Sequence, residues 1–368
     1  MNNNQSKLKE TLLISPFFMF YLVHSSQTGV GLLSFPLDIS KVSGYDAWIA
    51  LLIAGLILHI ILFITFKLLE HSSNGDLISL HRDYFGNLVG NTLSILLCIH
   101  FLLFLTTVFW SYIEVLQVWA FQTIHAWEFT LVLSIIVFYI VIGGFRVITG
   151  ITFFSTIIPI ILVFISIYSL KFSHFSNLLP VLSHDAIDIL KSAKASTFSY
   201  LGFEALLIYF PFIRNRDKGK KWAHIGLLFT TVAYTILAII TFSFFSEGQL
   251  KHLLAPTLVL TKIVEIPFIE RFEYIFIFSW LLVVLPPICI ALWSVTRVLK
   301  STLKIKPSYS LISIIILLNL STIIIMDKSS IDILSKISSE IGFYIVLVYL
   351  PVLYIYVLIV NFFRNKKT

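Results

Sequence analysis

The chain has 368 residues, 58% hydrophobic and only 12% charged, with a mean hydropathy of +0.95 and a formal net charge of +7. Soluble domains carry about 25% charged residues, so this composition cannot build a water-facing surface, and continuous apolar runs of roughly 20 residues exclude a transmembrane barrel, whose strands alternate over about ten. The positive charge falls in the connections between those runs, which reads as orientation in a bilayer rather than as nucleic-acid binding.

Ten spans are expected, at about 11–37, 46–69, 88–120, 127–143, 147–169, 191–213, 222–245, 271–298, 309–326 and 338–363, in a single transmembrane domain covering 1–368. Lys7 and Lys9 ahead of an apolar run have the outline of a secretory signal. No small-residue cleavage site follows and the run resumes after Gly31, so this stretch is read as the start of span one. Span one then carries Ser25-Ser26-Gln27-Thr28-Gly29-Val30-Gly31 at its middle. Each interior glycine weakens a helix by about 1 kcal/mol relative to alanine, and neighbouring hydroxyls can satisfy the backbone groups that a break sets free.

Between spans two and three, the stretch GDLISLHRDYFG spaces Leu77, Leu80 and Tyr84 at helical intervals. It reads as an interfacial helix or a structured loop. Span three sets His100, Thr107, Ser111 and Glu114 apart by seven, four and three positions, and Gln117 extends the row. They share one face of a helix. A polar stripe on an apolar span faces either a water path or hydrogen-bonding neighbour helices. His100 and Glu114 are four turns apart, too far for a direct bridge. The connections near 170–190 and 246–270 read as short helices over the bundle.

Span six repeats the theme of span one, with Ser196-Thr197-Phe198-Ser199-Tyr200-Leu201-Gly202-Phe203-Glu204 at its middle. Glu204 is costly at that depth, about 2.5–3.5 kcal/mol on insertion scales. A partner, a hydrated cavity, or protonation between packed helices would each account for it. Pro286-Pro287 is expected to kink span eight. His24 is placed to line the break in span one, His59 reads as a packing histidine, and the late tyrosines as packing and interfacial residues. Cys98 and Cys289 both lie within spans, which leaves no disulfide framework and no zinc set.

An even number of spans puts both termini on one side, and the segments on that side collect most of the 26 basic residues, the loop RNRDKGKKW above all. The termini are therefore expected in the cytoplasm. Two halves of five spans, about 11–169 and 191–363, are expected to form an inverted repeat. Gly31-Leu32-Leu33-Ser34-Phe35-Pro36 matches Gly202 through Leu206-Leu207 to Phe210-Pro211, and the longest run is third in each half.

If both spans open, two half-helix ends face each other near the midplane. N–H groups at one end present partial positive charge to an anion, and carbonyls at the other attract a cation. That makes a binding site for a small zwitterion with few buried charges. The competing account is that the small residues only let helices pack closely. No Walker loop, metalloprotease pair, nucleophile elbow or dinucleotide fingerprint is present, so no enzyme, cofactor or metal is expected.

Thr28-Gly29-Val30-Gly31-Leu32-Leu33-Ser34-Phe35-Pro36, the midspan Glu114 and the ten-span length resemble the endospore germination permeases, the B-type subunits of nutrient germinant receptors. The resemblance covers nearly the whole chain. It implies the amino acid–polyamine–organocation fold, an all-α membrane protein of five plus five helices with discontinuous first and sixth members. It also implies sensing of a small nutrient such as an amino acid, A-type and C-type partner subunits, and residence in the inner spore membrane or plasma membrane. The implied ligand segments are Gln27, Thr28, Gly29, Val30 and Gly31 with Ser199, Tyr200 and Gly202. The residues read as a proton or ion path are His100, Thr107, Ser111, Glu114 and Glu204. A proton-coupled amino acid transporter and a channel subunit use the same site and remain the alternatives.

Overall fold

The computed structural model describes residues 9–263, 272–325 and 327–366. Lys7, Lys367, the 264–270 part of the connection before span eight, the expected span-eight start at 271 and the expected span-nine end at 326 lie outside the described residues. Among these residues every regular element is helical, and one isolated parallel bridge joins Ile14 to Ile213. By length and composition, five helices can cross a membrane: Phe35–Glu70, Leu77–Trp119, Arg216–Phe244, Tyr274–Thr302 and Lys328–Asn365. Shorter apolar helices accompany them.

Span one is two helices. α1 (Phe18–Gln27) stops, a tight turn covers Val30–Leu33, and α2 (Phe35–Ser43) continues. Phe35-Pro36 was expected at the exit of this span near 37. It instead opens the second half, and the span reaches Ser43. Proline suits that place because the first helical turn has no acceptor for its N–H in any case.

α3 (Ala47–Glu70) follows. α4 (Leu77–Trp119) starts on an Asp76 cap, whose Oδ1 accepts from Ser79 N at 2.7 Å, and breaks at Gly86, where φ is 75°. The expected interfacial helix is the piece before that break, and span three is the piece after it.

α5 (Ala126–Ile142) and α6 (Phe145–Tyr168) follow. α7 (Ala186–Thr197), the turns Phe198–Tyr200 and Phe203–Ala205, α8 (Leu206–Tyr209) and the turn Phe210–Phe212 make up span six. α9 (Arg216–Phe244) is span seven. Two short pieces, α10 (Glu247–Leu250) and α11 (Pro256–Thr261), lie in the following connection. α12 (Phe272–Thr302) runs through Pro286 and Pro287, and α13 (Pro307–Leu320) follows. α14 (Lys328–Tyr344) passes through a π-helical turn, Ile345–Tyr349, into α15 (Leu350–Asn365).

Residues that face outward are apolar at helical spacing. Leu52, Leu56, Ile60 and Phe63 form such an exposed row on α3, the face a helix turns to lipid. Inside, α1 packs against α9 and α6, α4 against α12 and α14, and α3 against α7 and α9. α1 and α9 approach to backbone contact at Gly226, where a Cβ would lie 2.6 Å from the Phe20 carbonyl oxygen. Small residues allow this kind of helix contact in bilayers. The start of the chain is tied to the far end of span six: Ile14 N donates to Phe212 O at 2.9 Å, and Arg214 N to Ile14 O at 3.0 Å. The second half of span six, Phe203–Phe212, is buried throughout.

Candidate functional site

α1 ends because Thr28 (ψ 127°) and Gly29 (φ −159°, ψ −157°) are extended. Hydroxyl side chains also bond carbonyls of its last turns. Ser26 Oγ donates to Val23 O at 2.9 Å, and Thr28 Oγ lies 3.3 Å from His24 O and 3.4 Å from Ser25 O. The rest of α1 is held by polar pairs: His24 Nδ1 with Thr230 Oγ1 at 2.9 Å, and Ser25 Oγ with Thr152 O at 3.1 Å and Ser155 Oγ at 3.0 Å.

In span six the break falls at Leu201 (ψ 155°) and Gly202 (φ 112°). The break in span one falls at Thr28–Gly29, and Gly31, which the sequence matched to Gly202, lies within the Val30–Leu33 turn that follows. Only glycine fits at 202. The backbone is left-handed, and a Cβ there would overlap the Ser26 carbonyl. The two interrupted spans thus touch through their backbones.

Behind this contact is a buried polar cluster. Glu204 Oε2 accepts from Gly202 N at 2.8 Å, and Glu204 Oε1 meets His100 Nε2 at 2.8 Å. Both side chains are fully buried. The sequence placed His100 and Glu204 separately; their pairing joins span three to the break in span six. Tyr234 Oη lies 2.8 Å from Gln27 O and 3.1 Å from Ser199 O. Tyr200 turns away from the break and donates to Leu51 O at 3.3 Å.

In front of the contact is a cavity of about 730 Å³, within the usual 300–1,000 Å³ of small-molecule sites. Gln27, Thr28, Gly29, Val30, Gly31 and Ser199 line it, with Thr107, Ser111 and Glu114 on the α4 wall. Tyr200, Gly202, Glu204 and His100 are not among its lining residues. They stand behind it, because Gly202 and Glu204 are consumed in holding the break and Tyr200 in binding α3. The span-three stripe is thereby divided into a buried foot at His100 and a cavity wall above it.

The polar equipment of the cavity is partly unused. Among the described residues the backbone N–H groups of Gly29, Val30 and Gly31 meet no acceptor. The Gln27 side chain is only 4% exposed, and both of its amide atoms are without a partner. Both atoms are enclosed by protein, and a buried amide left in that state is costly. Phe104, Val108, Phe198 and Pro287 add apolar wall.

Sequence reasoning missed Lys328, Asp332 and Lys336, which line the cavity from α14 opposite Glu114. Their spacing of four is a legible helical stripe, but it lies ahead of the expected start of span ten at 338. Among the described residues no group of three or more His, Cys, Asp and Glu gathers to hold a metal.

A family model described as "Spore germination protein" matches residues 13–331. The chain is 38% identical to spore germination protein GerQB of Bacillus cereus over 342 residues, 93% of this chain and 95% of that protein. It is 24% identical to spore germination protein A2 of Bacillus subtilis (strain 168), over 77% of each chain. Among solved structures, MhsT in complex with L-phenylalanine aligns over 94% of this chain and 88% of its own, with a TM-score of 0.63 at 15% identity. A Na+-coupled sialic acid symporter aligns over 91% and 79%, with a TM-score of 0.61 at 12% identity. These likenesses give the fold, that of transporters with interrupted helices.

Proposed function

The chain belongs to the spore germination permease family, and from that premise we propose that it is the permease-fold subunit of a spore germinant receptor, binding a small nutrient between spans one and six. It is an integral membrane protein by its helices and its family. In this reading its termini are cytoplasmic, its membrane is the inner spore membrane or plasma membrane, its halves 11–169 and 191–363 are inverted repeats, and it works without catalysis.

The observation that carries the reading is the three successive residues 29–31 on the cavity wall, whose N–H groups meet no acceptor among the described residues. Successive N–H groups receive a carboxylate, so an amino acid is the natural class. Val108 and Phe198 would cover an apolar part of it.

Signalling needs no transport. A ligand that binds one arrangement of the broken spans better than another by 1.4 kcal/mol biases that equilibrium tenfold. A-type and C-type subunits would read the shift. Glu114 favours a second reading, proton-coupled amino acid transport, because it is a half-buried carboxylate on the cavity wall. Binding of an amino acid panel to purified protein, followed by uptake into reconstituted vesicles, tests both. Binding without uptake supports the receptor, concentrative uptake supports the transporter, passive ion flux supports a channel, and no binding by any member of the panel removes the amino acid reading.

A further inference from the structure

The carbonyl ends of both interrupted spans meet at one hydroxyl. Tyr234 on α9 is 1% exposed, and its ring lies against Phe35 at 5.3 Å and Tyr200 at 5.2 Å between centroids. Its oxygen is 2.8 Å from Gln27 O, the last residue of α1, and 3.1 Å from Ser199 O, in the turn that ends the first half of span six. Each carbonyl belongs to the negative end of a helix, which carries roughly half an elementary charge.

Two such ends within reach of a single atom repel each other strongly in a medium of low polarity. They need a positive partner, which is either a cation or a proton donor. In transporters with interrupted helices, a Na+ ion or a proton commonly fills this need, and a Na+-coupled symporter shares the present fold.

We propose that Tyr234 is the partner in this protein: its phenolic proton, shared between Gln27 O and Ser199 O, takes the place of an alkali cation at the junction of the broken spans. The donor set does not fit a metal ion here. A cation between the two carbonyls would face the hydroxyl proton that already serves them, and the ring behind it is clamped by two aromatic neighbours. The carbonyl of Ser26, next to Gln27 in sequence, is pressed against Gly202. Tyr234 is a positioning residue. It fixes both carbonyl ends to span seven, so the junction assembles without sodium.

The test uses the full-length purified chain with no nutrient added, so its outcome is independent of the germinant reading. Melting is followed in sodium, potassium and choline chloride at equal ionic strength. The wild-type midpoints are expected to coincide. Tyr234→Phe keeps the ring and removes the proton. It is expected to melt lower in choline and to regain part of the loss specifically in sodium, a response that a merely structural ring would not give. A sodium-specific rise in the wild type overturns the proposal, as does a Tyr234→Phe protein that melts like the wild type in all three salts or that melts lower by the same amount in all three. If Tyr234→Phe does not accumulate, the wild-type comparison still decides.

Discussion

Gly202→Ala isolates the contact on which the site is built. The residue sits at φ 112°. Holding a side-chain-bearing residue in so sparsely populated a region costs about 1–3 kcal/mol. The added Cβ would also overlap the Ser26 carbonyl oxygen, come 2.9 Å from its carbon and 3.1 Å from Phe104 Cζ. The Ser26 contact is with backbone, so the end of α1 must shift. Forced repacking of this kind costs about 1–3 kcal/mol, and together the two terms reach about 2–6 kcal/mol.

Gly29→Ala is the control. Gly29 is extended, a conformation open to any residue, and its Cβ would meet Val108 Cγ1 at an ordinary 3.8 Å. Its expected effect is within about 0.5 kcal/mol. Thermal unfolding of detergent-purified variants, followed by tryptophan fluorescence, should show Gly202→Ala melting well below the wild type and Gly29→Ala melting with it. Equal melting of the two variants would refute the claim that the spans touch at Gly202.

Gly31→Leu should accumulate normally and lose its nutrient response, because its Cβ points into the cavity, 4.0 Å from Phe198 Cε1; a normal germination response in spores carrying it counts against the site. Removing either partner of the His100–Glu204 pair should cost about 3–5 kcal/mol, since the other is left buried without its mate. The double variant His100→Ala with Glu204→Ala should fall short of the sum by about 0.5–3 kcal/mol in unfolding measurements, and strict additivity would mean the pair is not coupled. Glu114→Gln should leave melting unchanged while altering ligand affinity or its pH profile; identical profiles make the acid a packing residue. Asp46→Ala should open the 179–185 loop to protease, because that carboxylate holds Leu182 N at 2.7 Å, Ser183 N at 2.8 Å and His184 N at 3.1 Å; unchanged cleavage would show the loop is held by other contacts.

Periodicity and composition made much of this fold legible. Apolar runs long enough for a bilayer gave α3, α5 and α6 close to their observed bounds, because a lipid-facing helix must be apolar all along its outer face. The polar stretches of spans one and six marked both breaks, since no continuous span would carry glycine and hydroxyls so densely at mid-depth. The stretches could not reveal which residue in each does what. Gly29 and Gly31 are equivalent in composition, yet one is in the break and the other in the turn after it. Tyr200 and Tyr234 are both buried tyrosines, and only the second reaches the broken ends. Such roles depend on which helix lies opposite, and contacts as distant in sequence as Gln27 with Tyr234 leave no local trace.

The two breaks differ in how they are held, and this bears on how a nutrient could be felt. The break in span six is fixed on three sides, by the Ser26 carbonyl against Gly202, by Glu204 with His100, and by the Tyr234 hydroxyl on Ser199 O. The first and third of these ties also engage α1, so α1, the break in span six and α9 are joined with the buried foot of α4. On the other side of the cavity, the Gly29–Gly31 N–H groups meet no acceptor among the described residues, and the turn that carries them leads directly into α2. α2 packs against α7, the first half of span six, where Ser43 Oγ donates to Ser192 Oγ at 2.8 Å, and Thr257 Oγ1 donates to Leu32 O in the preceding turn at 3.1 Å. A ligand seated on those N–H groups therefore bonds to the start of the α2 side while resting on the joined elements below. On the receptor reading such a ligand would bear on the Thr28–Gly29 junction between α1 and the α2 side, and the packed pair of α2 and α7 is what it would have to move.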